Sequence, residues 1–236
     1  MAYHYKFLAA CLVLSVTTCL GQPIADTLTA QVTTALHGKT RDLSQLDVRV
    51  HSLKAGGSAV RSSDADQLII VKDGDLEVGE ASKTLGPGGV ALLSANDKLT
   101  MHNPGITPAT YYVFSFVTDS MAARSGPPLL LDWKEMPMKT TDKGESRQIF
   151  SQPTHHLSRI DMHATTLNEG QVSHSPHIHR NEEIILMRSG NARMYIGGKY
   201  YPAKAGDIIF LTSGTPHALE NKTNGRCEYF ALQWQR

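Results

Sequence analysis

The sequence predicts an all-β protein made of two similar domains in tandem. Short runs rich in Val, Ile, Leu, Tyr and Phe alternate along the chain with turns rich in Gly, Pro, Asn and Asp. This pattern is typical of antiparallel sandwiches and barrels, not of alternating strands and helices. The second observation is that the pattern of the first half recurs in the second half. A few short helices are expected, over about residues 24–36 and in the middle of the chain.

Composition and charge limit the classes of function. The 236 residues are 41% hydrophobic and 19% charged, as in an average globular protein. The 23 Lys and Arg residues against 22 Asp and Glu residues leave a formal net charge of +1. A basic surface for nucleic acid is therefore absent, and no nucleic-acid partner is expected. Histidine is the unusual residue, with 11 copies against 3 cysteines.

Residues 1–21 are typical of a secretory leader. A lysine precedes a largely apolar run over residues 7–20, and small residues stand before Gln22. The run is shorter than the roughly 20 residues that span a bilayer, and no later run is long enough. We expect export to the periplasm or medium with cleavage after Gly21. A buried N-terminal helix is one alternative, and lipidation at Cys19, behind a poor lipobox, is another.

Cleavage would leave Cys227 as the only cysteine of the mature chain. An internal disulfide is then not expected, so an apolar core has to stabilise the fold. Cys227 leads into a predicted strand, which favours a buried, unreactive thiol over a nucleophile.

Residues 88–103 and 206–221 carry the clearest copies of the repeat. Each segment starts with glycine, continues through a short apolar strand and a polar turn, and ends in Asn. The match then extends without a gap into strands that contain Tyr111 and Tyr229. The two halves are therefore predicted to share one fold.

The repeat sets the domain boundaries. The first domain is expected over residues 22–117 and the second over residues 146–236. Residues 118–145 contain several prolines and mixed polarity, and they are expected to connect the domains. This connection should pack across both halves through residues 129–131 and Trp133.

Four residues of the second domain have the character of metal ligands. His177 and His179 are two residues apart, so in an extended strand their side chains point to the same face. Glu183 follows a short turn, and His217 belongs to a later hairpin. If the strands close into a small barrel, the four side chains can converge. Three imidazoles and a carboxylate suit a divalent first-row transition metal.

These residues carry a resemblance to the cupin superfamily, and the repeat makes it a resemblance to a bicupin. The first cupin motif contains glycine, His-x-His, Glu and glycine, matched here by Gly170, His177, His179, Glu183 and Gly190. The second contains glycine, Pro-x-Gly, His and Asn, matched here by Gly206, Gly214, His217 and Asn221. One extra residue follows Gly170, and Thr212 replaces the proline. The resemblance implies two jelly-roll barrels with a metal inside the second.

The first domain lacks these ligands. Aligned through the repeat, Arg61 and Ser63 take the positions of the two neighbouring histidines. Gln67 takes the position of the glutamate, and Leu99 that of the last histidine. The first domain is therefore predicted to be a degenerate cupin that binds no metal and serves as a scaffold.

Other polar residues near the predicted ligands have two interpretations each. His174 lies either at the cavity mouth or in bulk solvent. Asp161, His163 and Thr165 share one face of a strand, which points either into the cavity or to the outer surface. His163 and His174 are the candidates for a catalytic acid or base.

Three further residues are expected outside the site. Glu182 should point outward, since neighbouring side chains on an extended chain alternate. His155 and His156 belong to a Pro-Thr loop and are expected at the surface.

The ligand set also indicates a class of substrate. A divalent ion with one anionic ligand keeps a positive local charge, which favours an anionic, chelating substrate. The predicted function is that of an exported, metal-dependent enzyme acting on a small carboxylated or polyhydroxylated molecule. Dioxygenase-type chemistry ranks first, followed by decarboxylation and isomerisation. Mn or Fe is the expected metal, ahead of Zn, Ni and Cu.

A non-catalytic module is the alternative function, with a sugar or other small ligand and a structural or docking metal. The fold does not choose between the two. The cavity of the second barrel distinguishes the two functions. If Met187, Phe210 and Trp234 fill that barrel, the enzyme hypothesis loses support. A storage protein ranks third. The resemblance also implies a homodimer formed through sheet edges, unless the connection covers those edges.

Overall fold

The computed structural model describes residues 13–14, 30–121 and 128–236. The predicted cleavage after Gly21 and the lipidation at Cys19 lie outside these residues. In the described part, the chain consists of twenty strands and one 3-10 turn. No helix of this part is long and apolar enough to cross a membrane.

The first half forms two facing antiparallel sheets. Its strands are β2 (Ala30–Gly38), β3 (Gln45–Leu53), β4 (Ser58–Arg61), β5 (Asp66–Asp73), β6 (Leu76–Val78), β7 (Lys83–Leu85), β8 (Val90–Leu93), β9 (Leu99–His102), β10 (Ala109–Val117) and β11 (Leu129–Leu131). The larger sheet has the order β2-β3-β10-β5-β8-β11, and the smaller sheet has the order β4-β9-β6-β7. One apolar core fills the space between them.

The second half repeats this arrangement. Its strands are β12 (Lys139–Thr141), β13 (Gly144–Gln152), β14 (Arg159–Leu167), β15 (Glu182–Ser189), β16 (Asn191–Ile196), β17 (Lys199–Lys204), β18 (Ile208–Leu211), β19 (His217–Glu220) and β20 (Cys227–Gln235). The order β12-β13-β14-β20-β15-β18 continues to a two-residue strand, β1 (Val13–Leu14), in the larger sheet. The smaller sheet has the order β17-β16-β19. The all-β prediction of two jelly-roll barrels is confirmed.

The two larger sheets pack against each other back to back. Alternation along β20 sends Tyr229 into the core of its own barrel and Phe230 and Trp234 into the core between the halves. In the first half, Phe116 joins the same shared core, with its ring centroid 5.5 Å from that of Trp234. Both faces of these strands are therefore buried, which explains their nearly continuous apolar sequences.

The connection packs against both halves. β11 adds to the first large sheet beside β8, while Trp133 packs against the core between the halves. The guanidinium groups of Arg147 and Arg188 lie 4.4 and 4.1 Å from the Trp133 ring centroid. Arg188 also donates to the carbonyl of Pro87 in the first half, at 3.1 Å.

The predicted helix over residues 24–36 is wrong where the chain is described, because residues from Ala30 onward form β2. This strand pairs with β3 along its length, and it contains β-branched Val32, Thr33 and Thr34. In the middle, the described residues hold only the 3-10 turn Trp133–Glu135, which Asp132 caps.

Glu182 fastens the second half to the first. It points away from its own barrel, as predicted, but the first half covers it and leaves it only 1% exposed. Its carboxylate accepts hydrogen bonds from Thr40 Oγ1 at 2.6 Å and from the backbone N–H groups of Arg41 and Asp42 at 3.0 and 3.1 Å.

Asp66 makes the reciprocal contact from the first half. Its carboxylate accepts hydrogen bonds from Thr154 Oγ1 and, at 2.7 Å, from the backbone N–H of His156. His156 is buried, so its predicted surface position is wrong, whereas His155 is half-buried. The loop that looked like surface from its composition is therefore part of the contact between the halves.

Candidate metal centre

The predicted ligands come from three parts of the second barrel. His177 and His179 lie in an irregular segment between β14 and β15, and not in a continuous strand. An isolated bridge holds the segment in place, since His177 and His217 exchange backbone hydrogen bonds of 3.2 and 3.0 Å. Glu183 is the second residue of β15, and His217 is the first residue of β19.

The four side chains meet at one place. The ligand nitrogens of His177, His179 and His217 all lie within 4.8 Å of one another. Glu183 Oε2 is 3.3 Å from His179 Nε2 and 3.0 Å from His217 Nε2. The structure therefore brings together all four residues that the sequence singles out.

Backbone carbonyls fix the tautomers of two of these histidines. Asn181 O lies 2.8 Å from His179 Nδ1, and Thr215 O lies 2.8 Å from His217 Nδ1. A carbonyl oxygen only accepts, so each Nδ1 carries the proton and each Nε2 presents a lone pair. Such carbonyl contacts orient the histidine ligands of metal sites.

In this arrangement the Nε2 lone pairs of His179 and His217 face the carboxylate oxygen of Glu183, so acceptor faces acceptor. The buried Nε2 of His217 is 3.0 Å from Glu183 Oε2, yet it makes no hydrogen bond within the described part of the chain. A lone pair and a carboxylate oxygen at this distance require a cation or a proton between them. Protonation of His179 Nε2 would turn its 3.3 Å contact with Glu183 Oε2 into a hydrogen bond, and this raises the pKa of His179. The donor set therefore fits a divalent transition metal.

Glu183 is held as a carboxylate. Burial opposes its ionisation, but the imidazoles of His179 and His217 and the amide of Gln233 outweigh burial and lower the pKa of Glu183 to about 2. Gln233 Nε2 donates to Glu183 Oε1 at 3.2 Å, which leaves Oε2 towards the histidines. Asn181 Nδ2 in turn donates to Gln233 Oε1 at 3.4 Å.

Gln233 and Asn181 are positioning residues that sequence reasoning missed. Gln233 lies directly opposite Glu183 in the pairing of β15 with β20. The available signal was a polar residue between Leu232 and Trp234, at the end of the apolar run over residues 229–232. A polar side chain on the inner face of a barrel strand calls for a polar partner there.

A cavity of about 250 Å³ adjoins the cluster. Both acid–base candidates line it: His163 on β14 and His174 in the segment between β14 and β15. The other polar and apolar lining residues include Thr165, Ser173, Met194, Leu219, Tyr229 and Gln233. His163 and Thr165 thus face the cavity, while Met162 and Ala164 pack between the halves. Asp161 instead pairs with Arg159 at 2.7 Å.

The three residues that would have filled the barrel lie elsewhere. Met187 belongs to the barrel's apolar core, while Phe210 and Trp234 pack in the core between the halves. None of them lines the cavity. The space beside the histidines is therefore open to a small ligand.

His174 stands at the mouth of this cavity. Its ring centroid lies 4.1 Å from that of His177 and 6.2 Å from that of His217. Burial of part of the ring lowers the pKa of His174. The imidazole is therefore neutral at pH 7 and able to accept a proton.

Comparison with known proteins places the fold. Residues 164–232 match the family model described as Cupin domain. The putative glyoxylate induced protein of Pseudomonas aeruginosa superposes with a TM-score of 0.75 at 13% identity, covering 99% of this chain and 91% of that one. AerE of Microcystis aeruginosa gives 0.69 at 14% identity, covering 91% and 97%. The formate complex of Lactobacillus farciminis oxalate decarboxylase gives 0.65 at 11% identity, covering 80% and 77%.

A curated relative matches part of the second barrel. The oxalate-binding protein of Thermotoga maritima is 39% identical over 57 residues, which are 24% of this chain. The match spans about half of that protein, 47% of its length. The match to the Cupin domain model and the histidine cluster fall in the same part of the chain, the second barrel. The second barrel carries the complete ligand motif, and the first barrel repeats the fold with other residues at those positions.

Strand register makes the degeneracy explicit. Arg61 pairs with Leu99 in the first barrel, where the second barrel pairs His177 with His217. In the same way, Gln67 lies opposite Ser115, where Glu183 lies opposite Gln233. The alignment drawn from the repeat therefore holds for Arg61, Gln67 and Leu99.

Proposed function

We propose that this chain is a metal-dependent cupin whose second barrel holds one divalent transition metal and acts on a small carboxylate. His177, His179, Glu183 and His217 would hold the metal, with Mn or Fe as the preferred ions. The observation that carries the proposal is the convergence of these side chains beside an open cavity. A bound divalent ion would supply a Lewis acid that attracts a carboxylate oxygen.

The chain's own residues define how such a substrate would be held. Met194 and Leu219 give the cavity apolar walls that exclude water from part of the substrate. Tyr229 lines the same cavity, and burial raises the pKa of its hydroxyl. The hydroxyl therefore stays protonated, and it hydrogen-bonds with Thr165 and Ser173, which line the same cavity.

His174 and His163 are the acid–base candidates, and their positions differ. His174 lies at the mouth, where it can exchange a proton with solvent and with a substrate at the cluster. His163 lies on β14 inside the cavity. We assign proton transfer to His174 first, because its neutral imidazole adjoins His177.

The substrate class is that of small dicarboxylates, represented by oxalate. A cavity of about 250 Å³ suits a molecule of this size. Oxalate appears in the names of both the curated relative and one structural neighbour. These names support decarboxylation over the dioxygenase chemistry expected from the ligand set. The relative's name also favours a second candidate, a non-catalytic module that binds oxalate.

One experiment separates these functions. The chain is purified from its native compartment, its metal content is measured, and oxalate is added in the presence of oxygen. Release of CO₂ with formate indicates a decarboxylase, oxygen consumption indicates an oxidase or dioxygenase, and calorimetric binding without turnover indicates the module. Replacing His217 by Ala should remove metal and activity together, whereas Arg61→Ala should keep the metal. A folded wild-type protein without metal would contradict the proposal.

We also propose that the protein is exported after removal of residues 1–21 and that it forms a homodimer. Sedimentation of the purified chain tests the second point, because a monomer at micromolar concentration would contradict it.

A further inference from the structure

The first barrel has a polar cavity of its own. Its volume is about 240 Å³, and it lies where the second barrel has its histidines. The wall comes from β3, β4, β5 and β10 and from the turn after β4, and its polar members are Gln45, Asp47, Arg49, Arg61, Ser63, Asp64, Gln67 and Ser115. A barrel that served only as a scaffold would have no need of such a cavity.

Arg61 is the cation of this cavity that lacks a counter-charge. The other arginine, Arg49, is neutralised by Asp47 through hydrogen bonds of 3.1 and 2.7 Å. Arg61 makes no ion pair within the described residues, and its buried Nε makes no hydrogen bond there. Burial lowers the pKa of Arg61, but an arginine remains charged at pH 7.

Two further buried side chains have polar atoms without a partner: Gln67, which lines the cavity with Arg61, and His51, which does not line it. Gln67 is 5% exposed, and its Oε1 has no hydrogen-bond partner in the described part of the chain. His51 is 6% exposed, stacks on Tyr111 with ring centroids 5.2 Å apart, and likewise leaves Nε2 without a partner. Buried polar atoms are rarely left unsatisfied, and Arg61 and Gln67 both line this cavity, so their two unpartnered atoms indicate a ligand there.

The acidic residues of the cavity do not neutralise Arg61. Asp47 is held by Arg49 and lies 3.5 Å from His37 Nδ1. Asp64 is exposed at the rim and accepts a hydrogen bond from Ser63. The interior therefore keeps the positive charge of Arg61, which disfavours a metal ion and favours an anion.

We propose that the first barrel binds a small hydroxycarboxylate. The carboxylate pairs with the guanidinium of Arg61, which offers parallel N–H groups, and the hydroxyl donates to Gln67 Oε1. Both side chains line the cavity, and its volume suits an acid of two to four carbons. The site is independent of the metal and of the function proposed for the second barrel.

Glycolate is the probe, with acetate as the analogue that lacks the hydroxyl. Titration calorimetry is done on the full chain and on its Arg61→Gln, Gln67→Leu and Lys72→Gln variants. Lys72 is exposed on β5, so its replacement removes one positive charge from the first half without touching the cavity. Arg61→Gln should weaken glycolate binding at least about tenfold, and Lys72→Gln should leave it within about twofold. Gln67→Leu should abolish the preference for glycolate over acetate.

Two more variants serve as controls for this experiment. His217→Ala disables the cluster of the second barrel, so glycolate binding that survives in this variant belongs to the first barrel. Ser63→Asp places a carboxylate at the cavity beside Arg61 and should block glycolate even if Arg61→Gln does not fold. Unchanged binding in folded Arg61→Gln, loss of binding in His217→Ala, or absence of binding at millimolar glycolate would overturn the proposal.

Discussion

Asp66 and Glu182 occupy the same position in the two barrels, and each accepts hydrogen bonds from a loop of the opposite half. Each directly precedes the residue at the glutamate-ligand position, Gln67 or Glu183. The captured loops also match, since Leu43 N–H donates to Thr40 Oγ1 at 3.1 Å and Leu157 N–H donates to Thr154 Oγ1 at 3.2 Å. The halves are therefore related by an approximate two-fold axis, like the subunits of an isologous dimer.

Replacing Glu182 by Ala should lower the free energy of unfolding by about 3 kcal/mol, because three donors of the loop at residues 40–42 lose their buried acceptor. Urea denaturation measures the change. Glu80→Ala, at an exposed position, should stay within about 0.5 kcal/mol of the wild type. Equal effects of the two substitutions would contradict this account of the interface.

Gln233→Leu should weaken metal binding roughly 10- to 100-fold without removing a ligand, because Glu183 loses the amide that orients it. Competition with a chelator of known affinity measures the change. Gln235→Leu is the matched control on the same strand, since Gln235 does not line the cavity. Wild-type affinity in Gln233→Leu would show that Glu183 needs no such support.

Cys227 should resist alkylation in the folded protein. It is buried, and burial raises the pKa of its thiol to about 11. At pH 8 only roughly one thiol in a thousand would then be ionised, and the reagent could not reach it. Peptide mass spectrometry after iodoacetamide treatment should find this cysteine modified in 8 M urea (roughly full unfolding) and unmodified without it. Fast labelling of the native chain would contradict this prediction and show that Cys227 is a reactive thiol.

Export should produce a mature chain that begins at Gln22. The expectation comes from the charge, length and apolar character of residues 1–20. Intact-mass measurement of the protein expressed with its leader tests the cleavage site. Cys19→Ser should leave the mature mass unchanged, whereas a lipid attached at Cys19 would add mass that this variant loses.

Sequence reasoning reaches furthest where spacing within the chain fixes geometry. His177, His179, Glu183 and His217 converge as predicted, because a jelly-roll barrel brings these motif positions to one end. The double barrel follows from the repeat in the same way. The irregular segment that carries His177 does not change this outcome, since its bridge to His217 replaces the expected strand.

Sequence reasoning fails where contacts join distant parts of the chain. The hydrogen bonds of Glu182 to the loop at residues 40–42 span about 140 positions, and no local sequence pattern predicts them. For the same reason, β2 was predicted as helix and His156 as a surface residue. Each of these segments takes its conformation from the opposite strand or the opposite half, and tertiary context overrides propensity there.

Glu182 and Glu183 are adjacent residues. The carboxylate of Glu182 contacts the first half, and the carboxylate of Glu183 faces the histidines of the second. Separating the barrels would displace Glu182 and, through the shared peptide bond, Glu183. If Glu183 binds the metal as proposed, loading of the ion and cohesion of the two halves are thermodynamically linked. The first barrel would then support the proposed metal site of the second by keeping Glu183 in register.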